Sequence, residues 1–140
     1  MIGTSTLAGL ARLRPGITRA RSSSYDPTGG NRDWWEFQPG DTRAIAGLTG
    51  PGCIKHIWLT MGCEDRYAFR KVVLRMYWDG EDAPSVETPI GDFFGMGHSL
   101  SKNFVSLPLQ MSPENGRGFN CWFPMPFQEG ARLEVQNEAD

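Results

Sequence analysis

Cysteine is scarce in this chain of 140 residues: there are 3, an odd number, and their spacing suits no disulfide framework. That excludes a small secreted scaffold stapled by cystines and points to a reducing compartment. Long apolar runs are missing as well. Nothing approaches the roughly twenty consecutive apolar residues that span a bilayer. Residues 1–10 lack the basic start and sustained apolar stretch of a secretory signal. An excess of positive charge is absent too, since the formal net charge is -2. With no basic stripe to neutralise phosphates, there is no electrostatic case for nucleic acid. Arg12, Arg14, Arg19 and Arg21 make a local basic stretch, read as a solvated arm or a subunit contact. The expectation is a cytoplasmic protein with neither nucleic acid nor membrane among its partners.

What is present suits one globular domain. The apolar fraction is 39% and the charged fraction 21%, the balance of a chain that buries a core. Aromatics reach 11%, and they serve both sheet cores and flat platforms for sugar rings. With 17 glycines and 10 prolines, turns must be frequent, as in a fold of many short strands.

Periodicity divides the chain at about residue 21. Leu7, Leu10 and Leu13 share a face at spacing three, which predicts a short helix over 4–13, ended by Pro15 and Gly16. Residues 1–21 are thus a helix and an arm, and 22–140 the domain proper. The segment SSSYDPTGGNRD (22–33) is turn chemistry throughout. Beyond it the period falls to two. Val72, Leu74, Met76 and Trp78 alternate with Lys71, Val73, Arg75 and Tyr77, a half-buried strand that ends in the Asp79–Gly80 turn. Residues 54–61, apolar on both faces, predict a central strand. Shorter strands are expected at 35–37, 42–46, 85–88, 104–107, 119–123 and 131–137. Strands of this number and spacing predict an all-β jelly-roll sandwich. A strand as late as LEVQN (133–137) calls for a return strand, yet only Glu138, Ala139 and Asp140 follow. The roll reads as truncated at its C-terminal end.

Several arrangements bear on chemistry. Cys53 and His56 resemble half of a metal site, but residues three apart on a strand face opposite ways, so a buried thiol and a structural histidine are expected and no metal. The run GMGHSL (95–100) lacks the third glycine and the βαβ setting of a dinucleotide fingerprint. Asp92, His98 and Cys121 hold the residue types of a nucleophilic triad, with no spacing that supports one. Glu36, Glu64, Glu81, Glu87, Glu114, Glu129 and Glu134 are available for glycoside chemistry, which uses a carboxyl pair, and no pair stands out. The sharpest local signal is Asp26, Asn31, Asp33, Trp34 and Trp35. Short polar side chains beside indoles on a Gly-Gly loop compose a sugar site, and they equally compose an Asx-turn loop over two core tryptophans.

At SSSYDPTGGNRDWW the sequence resembles the family-172 glycoside hydrolases, the difructose-anhydride synthase and arabinofuranosidase family. The resemblance continues through GPGCIKHIWLTM, RKVVLRMYWDGEDAPSVETPIGDFFGMGH and NCWFPMPF to ARLEVQNE, and it covers the chain from about Leu10 onward. It implies two jelly rolls in tandem, of which this would be the first, assembled as trimers or multiples of trimers. It implies retaining hydrolysis or transglycosylation of fructofuranosyl or arabinofuranosyl linkages by two glutamates. Both are expected C-terminal to this chain; no glutamate here matches, so no catalytic residue is assigned. No cofactor is expected. The substrate contacts implied are Asp26, Asn31, Asp33 and Trp34 from the loop, Asp92, Phe94 and His98 from GDFFGMGH, and Cys121 and Phe123 from NCWFPMPF. Pro27 departs from the family, which often carries a charge there, and it stiffens Asp26 towards extended backbone. A non-catalytic carbohydrate-binding or assembly module is the alternative function.

Overall fold

The computed structural model describes residues 13–139. The helix expected over 4–13 lies almost wholly outside the described residues. Ten strands follow in order: β1 (Thr42–Thr49), β2 (Gly52–Ile54), β3 (Ile57–Leu59), β4 (Val72–Trp78), β5 (Val86–Pro89), β6 (Phe104–Val105), β7 (Leu109–Met111), β8 (Phe119–Cys121), β9 (Met125–Phe127) and β10 (Gly130–Asn137). Single helical turns, α1 (Ala68–Lys71) and α2 (Ile90–Phe93), bracket the β4–β5 hairpin. The protein is an all-β sandwich of antiparallel sheets, as the alternation predicts.

One sheet has the order β1-β10-β4-β5 and the other β3-β8-β7-β6, while β2 and β9 pair separately. In the first, the register sets Leu133 beside Met76 and Val135 beside Leu74. These side chains are all buried on the inner face. In the second, Ile57 and Leu109 both lie beside Cys121, and Met111 lies beside Phe119. The two inner faces meet in one apolar cluster, completed by Ile90, Phe94, Met96 and Phe127. Burial of each large side chain contributes about 1.5–3 kcal/mol, so the register of β4, β8 and β10 is strongly specified.

Outward positions of the first sheet are charged. Arg75 pairs with Glu87 at 2.8 Å, Arg132 pairs with Glu134, and the Arg132 guanidinium lies 3.8 Å from the Tyr77 ring centroid. The turn after β4 is fixed from the side. Asp79 accepts backbone N–H bonds from Gln128, Glu129 and Gly130 at 2.9, 2.7 and 3.1 Å, tying it to the β9–β10 connection.

Three strand expectations need correction. Residues 54–61 are not one central strand: β2 ends at Ile54, β3 begins at Ile57, and the two join different sheets, β3 at an edge. Lys55 and His56 make the crossing. Residues 35–37 form no strand. Trp35 instead lies under Arg43, at 4.6 Å, and Phe37 packs against the core. The single strand expected at 119–123 stops at Cys121, and Met125–Phe127 pairs with β2 instead. Strand β7 has only three residues and escapes a pattern search.

Candidate functional site

The loop at 22–36 is ordered from within. Asp26 Oδ1 accepts from Thr28 N and Oγ1 at 2.9 and 2.7 Å, and Oδ2 accepts from Arg32 N at 3.3 Å. These bonds, the Thr28 hydroxyl foremost, hold the Asp26 carboxyl below its usual range. Asp33 Oδ1 in turn accepts from Asp26 N at 2.8 Å. A side chain at residue 30 would start 2.7 Å from Asp26 Oδ2, so any residue but glycine there would displace that carboxylate. Asn31 takes a left-handed backbone, with φ 59. The two aspartates therefore build the loop as an Asx-turn unit. Trp34 remains 55% exposed, with Nε1 3.4 Å from Glu36 Oε1. Glu36 also pairs with Arg32 at 2.6 Å, the main cause of its lowered pKa.

The second and third groups are divided by burial. Phe94 and Cys121 are both 0% exposed, in the core between the sheets. Neither side chain is exposed on the surface of this chain. Burial also pushes the Cys121 thiol up, away from the thiolate a nucleophile needs, so the triad has no support. Asp92, in α2, is ion-paired with Arg70 of α1, so its carboxylate is engaged between the two helical turns. His98 and Phe123 are accessible, His98 beside an open cleft and Phe123 42% exposed. The loop's hydrogen bonds stay within it, apart from Ser22 Oγ donating to Ile45 O at 2.9 Å.

Register identifies a further group. Because Ile57, Cys121 and Leu109 face inward, their neighbours must face out. Trp58 lies beside Asn120, Asn120 beside Gln110, and Gln110 beside Val105, a row across all four strands of the second sheet. One step along, His56 stacks on Trp122 with centroids 4.9 Å and planes 9° apart. His56 Nε2 lies 3.2 Å from Asn120 Oδ1, which accepts its proton. The ring's other nitrogen, Nδ1, has no hydrogen-bond partner among the described residues. Asn120 Nδ2 donates to Gln110 O at 3.4 Å, so the amide is held in place. Trp58 is 62% exposed. No charged residue belongs to this row, whereas the outer face of the first sheet is laced with ion pairs. The individual letters of HIW and NCW gave no sign of this face; the period-two rule applied to both strands together could have found it.

Among the described residues, no group of three or more His, Cys, Asp or Glu side chains could hold a metal ion. No helix there is long and apolar enough to cross a membrane. Asp26, Glu36, Asp65 and Asp79 are all held below their usual range by hydrogen bonds, the opposite of what a general acid requires.

No curated protein matches the chain. The family model described as GH172 domain-like matches residues 31–140, most of the domain that the strands build. The chain therefore belongs to the GH172 glycoside hydrolase family.

Proposed function

We propose that this chain supplies sugar-recognition surface to a retaining glycoside hydrolase or transglycosylase acting on fructofuranosyl or arabinofuranosyl linkages. In this reading it does not supply the catalytic glutamates. The observation that supports it most is the uncharged outer face of the second sheet, where Trp58 and the His56–Trp122 stack flank the fixed amide of Asn120. Aromatic planes take the apolar face of a sugar ring, and oriented amide and imidazole groups take its hydroxyls. The exposed Trp34 and Phe123 are further contacts, whereas Asp26, Asn31 and Asp33 shape the loop that carries Trp34. The same reading includes assembly into homo-oligomers, and the exposed Val105 and Leu107 at the far end of the sheet offer apolar contact surface for it.

The test is a titration of the chain with fructofuranosyl and arabinofuranosyl oligosaccharides, with glucopyranosyl oligosaccharides as control, followed by tryptophan fluorescence. Saturable quenching by furanosides, lost in Trp58→Ala, is expected. If furanosides and pyranosides act alike, or the Trp58 variant responds as the parent does, this face is not a furanoside site. Aryl furanosides should be turned over only by a longer protein that adds a glutamate pair. Turnover by this chain would place the catalytic residues within it.

A further inference from the structure

A second feature lies at the opposite edge of that sheet, beyond β6. An open cleft of about 350 Å³ is lined by Gly95, Met96, Gly97, His98, Leu100, Lys102 and Phe104. Its chemistry differs from the aromatic face: the only ionisable side chains on its walls are Lys102 and His98, and no carboxylate lies among them. Some cations elsewhere are paired with acids, as at Arg70–Asp92, Lys71–Asp65, Arg75–Glu87 and Arg117–Glu114, and Arg43 and Arg66 lie over aromatic rings. Lys102 and His98 have no hydrogen-bond or ion-pair partner among the described residues.

The backbone holds both in place. A side chain at Gly116 would start 2.8 Å from Lys102 O, and Gly116 N donates to Asn103 Oδ1 at 2.8 Å, so the Lys102–Asn103 segment is seated against the 113–117 turn. His98 and Ser99 are consecutive left-handed residues, with φ 59 and 58. Backbone of this kind is disfavoured for non-glycine residues and concentrates where a ligand is clamped. In the same turn the Ser99 hydroxyl is buried with no hydrogen-bond partner among the described residues. A buried hydroxyl without a protein partner is a place for an ordered water or an ion beside this turn.

We propose that this cleft is an anion-binding site, in which Lys102 and His98 hold the phosphate or carboxylate group of a small ligand. Lys102 supplies a point charge with three donors, His98 supplies a ring N–H, and the two glycines keep the wall open to the ligand. The proposal holds whether or not the aromatic face binds sugar.

The test uses the full chain at constant ionic strength, titrated with inorganic phosphate in one arm and glucuronate in the other. The ring resonances of His98 and His56 are followed by NMR. Saturable shifts at His98, with His56 unmoved, are expected from at least one ligand. Response to phosphate alone assigns a phosphate site; response to glucuronate alone assigns a carboxylate site. Lys102→Gln, at an exposed position, should leave the fold intact and weaken binding about tenfold, the scale of one charge-assisted hydrogen bond. Lys102→Arg should restore most of it. Shifts that never saturate, that fall equally on both histidines, or that survive Lys102→Gln unchanged would overturn the proposal.

Discussion

His56 and Trp122 meet face to face across the β3–β8 pairing, their planes 9° apart, at the surface of the sandwich. The stack joins two segments far apart in sequence, and Trp122 is among the exposed large apolar residues, at 39%. Trp122→Ala should therefore cost only about 1 kcal/mol of stability, the scale of one aromatic pair, while it abolishes furanoside quenching. Urea denaturation beside the sugar titration separates the two effects. A loss of several kcal/mol would place Trp122 in the core.

Phe94 is the opposite case. It is fully buried, with its ring 5.0 Å from Phe93 and 5.4 Å from Phe119. Phe94→Ala should destabilise the fold by about 3–5 kcal/mol, enough to leave a marginal domain largely unfolded. Phe123→Ala, at a half-exposed ring, should change stability far less. Similar unfolding midpoints for the two variants would contradict the burial described.

The thiols should differ in reactivity. Cys63 is exposed and Cys121 is buried with its pKa pushed up. In native protein a thiol reagent should label Cys63 quickly and Cys121 only on unfolding. Rapid labelling of Cys121 under native conditions would reopen the nucleophile reading.

Acid should loosen the junction at Asp79. Its pKa is lowered by N–H bonds, first from Glu129 and then from Gly130, and offset in part by desolvation. A group whose folded pKa is depressed stabilises the fold above its unfolded value, near 3.8. That stabilisation is lost as pH falls through the lower folded value. Stability should thus decline below about pH 4, and Asp79→Asn should remove part of that decline while lowering stability at neutral pH. Asp26, lowered in the same way, adds to the same acid limb. An unchanged acid profile in the Asp79 variant would assign the limb to other carboxylates.

Glycine spacing offers a steric test. A Cβ at Gly118 would lie 2.2 Å from Ser112 O, a backbone atom that cannot swing aside, whereas nothing lies within 4 Å of one at Gly47. Gly118→Ala should cost about 1–3 kcal/mol or more, and Gly47→Ala should be close to neutral. Thermal unfolding of the two variants decides this.

Strand β4 was legible because one of its faces is core and its apolar residues recur at every second position. Leu74 and Met76 are buried and Arg75 between them lies on the outer face, although Val73 on that outer side is buried as well. The break between β2 and β3 was not. A chain passing from one sheet to another keeps its apolar residues, so residues 54–61 look like one strand on paper. The loop around Asp26 was legible as turn chemistry, and the structure shows its carboxylates spent on the loop itself. Which aromatics face outward was hidden for a different reason. Trp58 and Phe119 are alike in composition, and only pairing of the strands decides that one is exposed and the other buried.

Strand β10 inserts between β1 and β4. On the ribosome, β1 and β4 emerge long before the strand that must lie between them. Until it arrives, each has a free edge and an uncovered apolar face, open to pairing with other chains. The nascent chain is thus committed to a waiting period, and its yield in the cell depends on what shields those edges during translation.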